Sequence, residues 1–199
     1  PTQLPLPSAG DHWFYTPGSA LNPLATLVGF YHSSVGANGH LEIDYAIDRT
    51  GRVDPRHARA YAQFGAWIRS CYGQPVGAGS LRSGQTSFEL SFAGASTIDR
   101  ARLEEDQSAG QLIVAFTLEA RVGGAWQPFS SGVSVGSVRI VLADAPVTAT
   151  ALRFSATSGY GRPTGLKLSA FAQARANSTP LNTQSSSDVA GNVARAAGF

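Results

Sequence analysis

The sequence predicts two kinds of structure in succession: an α/β segment over residues 1–73, then an all-β sandwich over residues 74–171. Three observations predict this. Two stretches with apolar residues at helical spacing flank one alternating stretch in the first part. Short alternating runs between glycine-rich turns fill the second. Hydrophobic residues make up 43% of the 199 positions, enough for a packed core. Residues 172–199 are rich in Ser, Thr, Asn and Ala and read as a low-complexity tail.

Residues 1–10 are proline-rich and read as an extended lead-in. Asn22-Pro23 marks a helix start, with Asn as cap and Pro at the first helical position. Leu24, Leu27, Val28 and Tyr31 follow at helical spacing, and the turn residues Val35-Gly36-Ala37-Asn38-Gly39 end the helix. Residues 41–46 alternate as a strand, with Leu41, Ile43 and Tyr45 on one face and Glu42 and Asp44 on the other. Thr50-Gly51 is a turn, and Asp54-Pro55 opens a second helix. Its apolar face is Tyr61, Phe64, Ile68 and Cys71. Arg69 suits the helix dipole in the last turn, and Gly73 is the stop. The order helix–strand–helix is a slice of an α/β protein.

Helical periodicity then disappears. The clearest alternating run puts Leu112, Val114, Phe116, Leu118, Ala120 and Val122 on one face, and Gly123-Gly124 closes it as a hairpin. Further strands are predicted at 87–92, 98–104, 133–135, 138–142, 151–156 and 165–171. Short strands at such spacing form a sandwich or jelly roll.

The charge balance is nearly even, 15 Lys and Arg against 13 Asp and Glu. No basic cluster tracks a phosphate backbone, so nucleic acid is not an expected partner. The single cysteine, Cys71, rules out an intrachain disulfide and a cysteine-based metal site. Its place on the apolar helix face makes it a buried structural thiol. No run reaches the ~18 apolar residues of a membrane span. The sequence starts at Pro1 and holds no Met, which reads as a processed or internal segment. Asn177-Ser178-Thr179 is a glycosylation sequon, with meaning only in a secretory compartment.

Two ordered motif groups resemble one family. The first runs His12-Trp13-Phe14-Tyr15-Thr16-Pro17-Gly18, Tyr31-His32-Ser33-Ser34-Val35-Gly36-Ala37-Asn38-Gly39, Leu41-Glu42-Ile43-Asp44 and Asp48-Arg49-Thr50-Gly51-Arg52-Val53. It resembles the end of the catalytic barrel of glycoside hydrolase family 29, the α-L-fucosidases. The second holds Leu103-Glu104-Glu105-Asp106, Gly110-Gln111, Phe116-Thr117-Leu118-Glu119, Trp126 and Gly136-Ser137-Val138-Arg139-Ile140. It is similar to the β-sandwich that follows the barrel in plant-type members.

The resemblance implies the last strand and helices of a TIM-like barrel, followed by a discoidin-like, galactose-binding-like jelly-roll sandwich. It implies hydrolysis of α-L-fucosyl linkages in glycoconjugates with retention, by two carboxylates. Both belong to barrel strands upstream, so no residue here inherits a catalytic role and no cofactor is expected. The implied partners are the upstream catalytic barrel segment, in the same precursor or as a separate chain, and fucosylated glycans; an oligomer stays open. The implied location is extracellular, the cell wall, or the secretory or lysosomal pathway. Without a partner, residues 11–73 are not expected to fold. The alternative is a non-catalytic carbohydrate-binding or structural module of an extracellular assembly. One departure favours it: the family strand reads Leu-Leu-Leu-Asn where this chain has Leu41-Glu42-Ile43-Asp44.

The resemblance places Trp13, Phe14 and Tyr15 at the sugar pocket, where aromatic faces stack on sugar C–H surfaces; packing is the competing role. Asp44 stands near the strand's C-terminal end, where barrel sites gather. Glu42 and Asp44, two acids on one face of a buried strand, are weighed as an acid/base pair, a role their spacing does not specify. They are expected instead to pair with an arginine such as Arg49 or Arg52. His12 and His32 are weighed as ligands or proton donors against ordinary loop and helix-end histidines. The four histidines, with His40 and His57, share no close spacing, so no metal site is expected. Trp126 is a loop platform for sugar or a core plug. Glu104-Glu105-Asp106 is a solvated acidic turn in preference to a Ca²⁺ site.

Overall fold

A computed structural model of the chain describes residues 2–5, 14–44 and 46–172. It begins with a parallel pair. Strand β1 (Thr2–Pro5) lies beside β2 (Leu41–Asp44), with α1 (Leu24–Ser33) connecting them and α2 (Pro55–Tyr72) following. A parallel pair needs a crossover of this kind. The proline-rich lead-in is therefore partly a strand. Isolated, those residues carry no alternation that would announce it; the pairing comes from β2.

Helix α1 begins one residue later than Asn22-Pro23 suggests. Pro23 is itself the N-cap, with no side-chain cap bond, and its carbonyl accepts from Thr26 N at 3.0 Å and Leu27 N at 3.3 Å. Helix α2 starts as expected. Asp54 is the cap, its carboxylate accepting from Arg56 N, and Pro55 occupies the first turn. Its buried stripe is His57, Phe64, Trp67, Cys71 and Tyr72, while Tyr61 and Ile68 are half-buried. Trp67 and Tyr72 join the predicted face because the helix is covered along its last two turns.

The remaining strands form one antiparallel sheet in the order β3-β8-β4-β7-β5-β6. They are β3 (Gly77–Leu81), β4 (Ser87–Glu105), β5 (Ile113–Val122), β6 (Ala125–Val133), β7 (Arg139–Gly159) and β8 (Leu166–Phe171). Predicted strands 87–92 and 98–104 are one strand, as are 138–142 and 151–156. Their register breaks between Ser91 and Ser96 and again between Ile98 and Arg100. Such bulges bend a strand and carry it from one layer to the other. The first half of β4 thus joins the last half of β7, while its second half lies between β7 and β8.

Three further differences have local causes. Predicted strand 133–135 ends at Val133, because Ser134 takes φ +53°. Ile113, not Leu112 or Val114, is buried, because bulges at Ile113 and Ala115 shift the phase of β5. β3, with two glycines, lacks the side chains that make alternation visible; a Cβ on Gly79 would stand 2.5 Å from the Phe88 ring. The Gly123-Gly124 hairpin is present with φ of +58° and +87°, the geometry glycine supplies without strain.

Two apolar clusters result. The larger lies inside the sandwich and includes Leu103, Phe116, Leu118, Leu152, Phe154 and Leu168. The smaller joins α1 and α2 to the outer face of the sheet through Ile140 and Phe171.

Candidate functional site

The two acids of β2 stand on an open face. Leu41 and Ile43 turn toward the helices, and the Tyr61 hydroxyl donates to the Ile43 carbonyl. Glu42 and Asp44 project the other way and are exposed. Among the described residues neither forms an ion pair. This corrects the expectation of a buried strand with acids held by Arg49 or Arg52. Exposed carboxylates keep their hydration and need no partner. The turn holding those arginines is organised by Asp48, whose Oδ1 accepts from Thr50 N at 2.8 Å, Thr50 Oγ1 at 2.7 Å and Arg52 N at 3.0 Å. The Thr50 hydroxyl, then the Arg52 amide, hold the Asp48 carboxyl below its usual range.

Of the aromatic run, Trp13 and the neighbouring His12 lie outside the described residues. Phe14 is 83% exposed. Tyr15 is half-buried, and its hydroxyl donates to Asp54 Oδ2 at 3.4 Å. Arg56 closes the same corner: its Nη2 is 2.9 Å from Asp54 Oδ2 and its Nη1 donates to the Ser19 carbonyl at 3.1 Å. Hydrogen bonds from the Arg56 side chain, then its backbone amide, hold the Asp54 carboxyl down at about 2. The loop carrying Tyr15 is thereby fixed to the start of α2. Among the described residues no hydrogen bond or ion pair links Phe14 or Tyr15 to Asp44.

The two motif groups of the sequence meet in space. Asn38, at φ +63°, accepts through Oδ1 from Ser137 N at 2.7 Å. The Gly36 carbonyl accepts from Ile140 N at 2.8 Å, and Ala37 bridges to Arg139. Gly136 has φ +67°, and a Cβ there would come within 2.1 Å of Asn38 Nδ2; this close approach requires glycine. Exposed His40 borders an open hollow of about 250 Å³ shared with Asn38, Gly39, Ser137 and Val138.

Beneath this turn lies a polar and aromatic layer that sequence reasoning missed. Arg100 is 1% exposed and bonds Asp99 through Nε at 2.7 Å and Nη2 at 3.0 Å. Burial works against its charge, but the Asp99 hydrogen bonds and carboxylate more than offset this and hold its pKa above the usual range. Its guanidinium stands 5.6 Å from the Tyr72 ring centre. His32 lies 2.6 Å from the Tyr72 hydroxyl through Nε2. Arg100 and Arg102 alternate with Ala101 and Leu103, a pattern that reads as a solvated strand face; only the packed helices reveal the burial. His57 is also buried, and neither ring nitrogen has a hydrogen-bond partner among the described residues.

In the sandwich, Glu105 is not a solvated acid. It is 6% exposed, its Oε1 accepts from Leu112 N at 2.7 Å and Ile113 N at 2.8 Å, and its Oε2 accepts from Gly136 N at 3.1 Å. Glu104 pairs with Arg102 at 2.9 Å, and Asp106 caps Ser108 N at 2.9 Å. Trp126 lies on strand β6 and not in a loop, and it does not plug the core. It is half-buried on the outer face of β6, with Arg153 4.4 Å and Arg121 6.0 Å from its ring centre. Cys71 is buried, as its helical position predicts. Among the described residues no group of His, Cys, Asp and Glu is placed to hold a metal, and no helix is long and apolar enough to cross a membrane. Asn177 lies outside the described residues.

No protein-family profile and no curated protein sequence matches the chain. Solved structures do. A Bacteroides thetaiotaomicron protein assigned as an α-L-fucosidase shares 30% identity over 84% of this chain, with a TM-score of 0.80 and 39% of its own length covered. A glycoside hydrolase 29 family member from an unknown rumen bacterium shares 26% over 85% of this chain, with a TM-score of 0.73 and 32% of its length covered. A Ruminococcus gnavus GH29 fucosidase in complex with fucose has the same fold, at 19% identity, a TM-score of 0.71, and coverage of 84% of this chain and 40% of its own. The chain therefore spans about a third to two fifths of these relatives. With the ordered motifs and their meeting in space, these matches make the chain similar to the C-terminal part of the glycoside hydrolase family 29 α-L-fucosidases.

Proposed function

We propose that the chain works as the C-terminal segment of a retaining α-L-fucosidase, active on α-L-fucosyl linkages of glycoconjugates only together with an upstream catalytic segment. In this reading residues 1–73 close the (β/α)8-type barrel, residues 74–171 are a sandwich of the discoidin-like type, and residues 172–199 are a tail. The observation that carries it is the parallel pair β1–β2, in which β2 turns Leu41 and Ile43 toward the helices and leaves Glu42 and Asp44 exposed. A barrel strand alternates between the helical layer and the barrel interior. Leu41 and Ile43 take the first role; Glu42 and Asp44 are left for the second. Asp44, at the C-terminal end of β2, and the aromatic run Trp13, Phe14 and Tyr15 are the proposed substrate contacts. The catalytic carboxylates belong to the partner segment, and the assembly acts in an extracellular or secretory setting.

A second reading, a non-catalytic carbohydrate-binding or structural module, draws on Glu42 and Asp44. They stand where the family's strand has Leu and Asn.

Gentle purification of the native protein, with intact-mass measurement and N-terminal sequencing, tests the first reading. A larger polypeptide should accompany the chain, and that complex should hydrolyse an aryl α-L-fucoside while the chain alone does not. Recovery of a folded, monodisperse chain with no companion and no hydrolysis overturns it. Glycan-array binding by that lone chain then supports the second reading.

A further inference from the structure

The sandwich carries a hollow of its own. It is open, holds about 100 Å³, and is lined by Thr86, Leu112, Ile113, residues 156–159, Gly161 and Pro163. None of these belongs to α1, α2 or β2. Its walls are tied to one another. Ala156 N donates to the Thr86 carbonyl at 2.7 Å, Tyr160 N to the Leu112 carbonyl at 3.0 Å, and Gly84 N to the Pro163 carbonyl at 3.0 Å. Arg162 Nη1 donates to the Gly84 carbonyl at 2.9 Å. Three separate segments of chain are thereby held as one rim, so the hollow is formed before any ligand arrives.

The chemistry of the lining is selective. Ile113, 1% exposed, and the buried Pro163 supply apolar surface. Thr86, Thr157 and Ser158 are exposed and bring three hydroxyls. Among the described residues none of these hydroxyls is hydrogen-bonded to another protein group. Strand alternation would send Thr157 and Ser158 to opposite faces. A bulge prevents it: Ala115 pairs with Ser158 and Phe116 with Ala156, which leaves Thr157 without a cross-strand partner. Bulges re-aim side chains, and here both residues border the same hollow. Tyr160, 85% exposed, stands between the lining residues Gly159 and Gly161. No Asp, Glu, Lys, Arg or His lines the hollow, so an anion meets no cation there and a metal ion meets no carboxylate or imidazole.

We infer that this hollow is a subsite for one neutral pyranose unit of a glycan, set on the sandwich and sharing no residue with the substrate face of Asp44 and the aromatic run. A pyranose offers hydroxyls that donate and accept, as the Thr and Ser hydroxyls of the lining do. It also offers C–H surface for Ile113, Pro163 and the Tyr160 ring to cover. At about 100 Å³ the hollow admits the edge of one ring and leaves the rest of the glycan in solvent. It holds no acid or base, so the subsite binds and does no chemistry. Its effect is to raise the local concentration of glycan beside the rest of the assembly. The inference goes beyond the fucosidase reading, because it stands on the lining of the hollow alone.

Nuclear magnetic resonance of the isotope-labelled full chain, with any companion polypeptide bound, tests this by titration with the methyl pyranosides of glucose, galactose, mannose and L-fucose. At least one should give saturable amide shifts at Thr157, Ser158, Gly159 and Gly161. Thr157→Val and Ser158→Ala each remove a hydroxyl and should weaken binding several-fold, the size of one neutral hydrogen bond. Gly161→Leu should fill the hollow and abolish binding with the fold kept, since a Cβ there meets only Leu112 Cδ2, at 3.9 Å. If G161L does not fold, the double variant T157V/S158A decides by the same readout. No saturable shift with any of the four sugars, shifts confined to residues outside the hollow, or undiminished binding in the deciding variant overturns the proposal. Its fate is separate from that of the activity. Binding here without fucoside hydrolysis by the native protein overturns the enzyme reading and leaves the subsite standing; hydrolysis without binding here does the reverse.

Discussion

The sandwich and the helical layer bury their apolar residues in different ways. The sandwich encloses a core drawn from its own strands, with Phe116, Leu118, Leu152, Phe154 and Leu168 each 1% exposed or less. The helical layer has no such enclosure. Its cluster of Leu27, Val28, Phe64, Trp67, Cys71 and Tyr72 is completed by Ile140 and Phe171 of the sheet, with Val138 and Leu142 packed against it. Beside this cluster lie Arg100 and Arg102 of β4 and, within the helical layer, His32, groups that an ordinary core would leave in water. The difference teaches that the sandwich is the foundation and the helices are conditional on it. Damage to the sandwich core should therefore reach both regions, while damage to the joint should reach only one.

The largest effect is expected from Phe154→Ala. Phe154 is fully buried and stacks on Phe116 with ring centres 5.8 Å apart. Truncating such a ring costs about 3–5 kcal/mol through lost burial and the cavity left behind. In a background where Trp13 and Trp126 are replaced by Phe, Trp67 is the one tryptophan left. There, denaturant unfolding followed by fluorescence, and separately by backbone circular dichroism, should show both signals shifting together. A helical signal that stays at its wild-type midpoint would sink the dependence of the helices on the sandwich.

Next comes Glu105→Ala. It strands three amide donors, those of Leu112, Ile113 and Gly136. Charge-assisted bonds to buried amides are each worth about 1.5–3 kcal/mol but are not additive, so a total of about 3 kcal/mol is expected. The variant also frees Gly136, the glycine under Asn38, so the helical layer should lose protection earlier than β5 in hydrogen exchange. Uniform loss across both would confine Glu105 to the sandwich alone.

The sequence shows this division only in part. Alternation in β5 from Phe116 to Val122 and the Asp54-Pro55 start of α2 were legible because each depends on near neighbours in the chain. The long strands β4 and β7 read as pairs of short ones, since a bulge interrupts alternation without ending the ladder. The burial of Arg100 and Glu105 was not legible. A charged residue in an alternating strand reads as solvated until something packs over it. For Arg100 that is α2, nearly thirty residues earlier. For Glu105 it is the amides of Leu112, Ile113 and Gly136, whose approach depends on how the chain turns back. At the candidate substrate face the opposite error arose. Glu42 and Asp44 read as buried because strands usually are, yet the described residues leave their face uncovered.

A smaller and more selective effect is expected from Gly136→Ala. The backbone at φ +67° disfavours any side chain, and the new Cβ would collide with the Asn38 amide. Strain of this kind costs about 1–3 kcal/mol. The collision lifts the 35–39 turn, so α1 should loosen while the sandwich core stays protected. Adding Asn38→Gly should recover much of the loss by removing the obstacle, with the residual strain of φ left over. No recovery in the double variant would show that Gly136 acts through its backbone alone and not through the joint.

The smallest effect is expected on the outer face of the sandwich, at Trp126→Ala. Trp126 stacks with Arg153, which Glu119 holds through bonds of 2.9 and 2.7 Å. Cation–π contacts at exposed sites contribute about 0.5–1 kcal/mol, and exposed ion pairs little more. Losing the ring should lower the unfolding midpoint by that amount and leave the helical layer untouched, since among the described residues the ring's cation partners are Arg121 and Arg153 of the sandwich itself. Salt sharpens the test. Raising ionic strength screens the Arg153–Glu119 pair, so the gap between wild type and W126A should narrow slightly in high salt. A loss near that of Phe154→Ala would mean that the ring plugs the core after all, and the sandwich would then owe its independence to both faces.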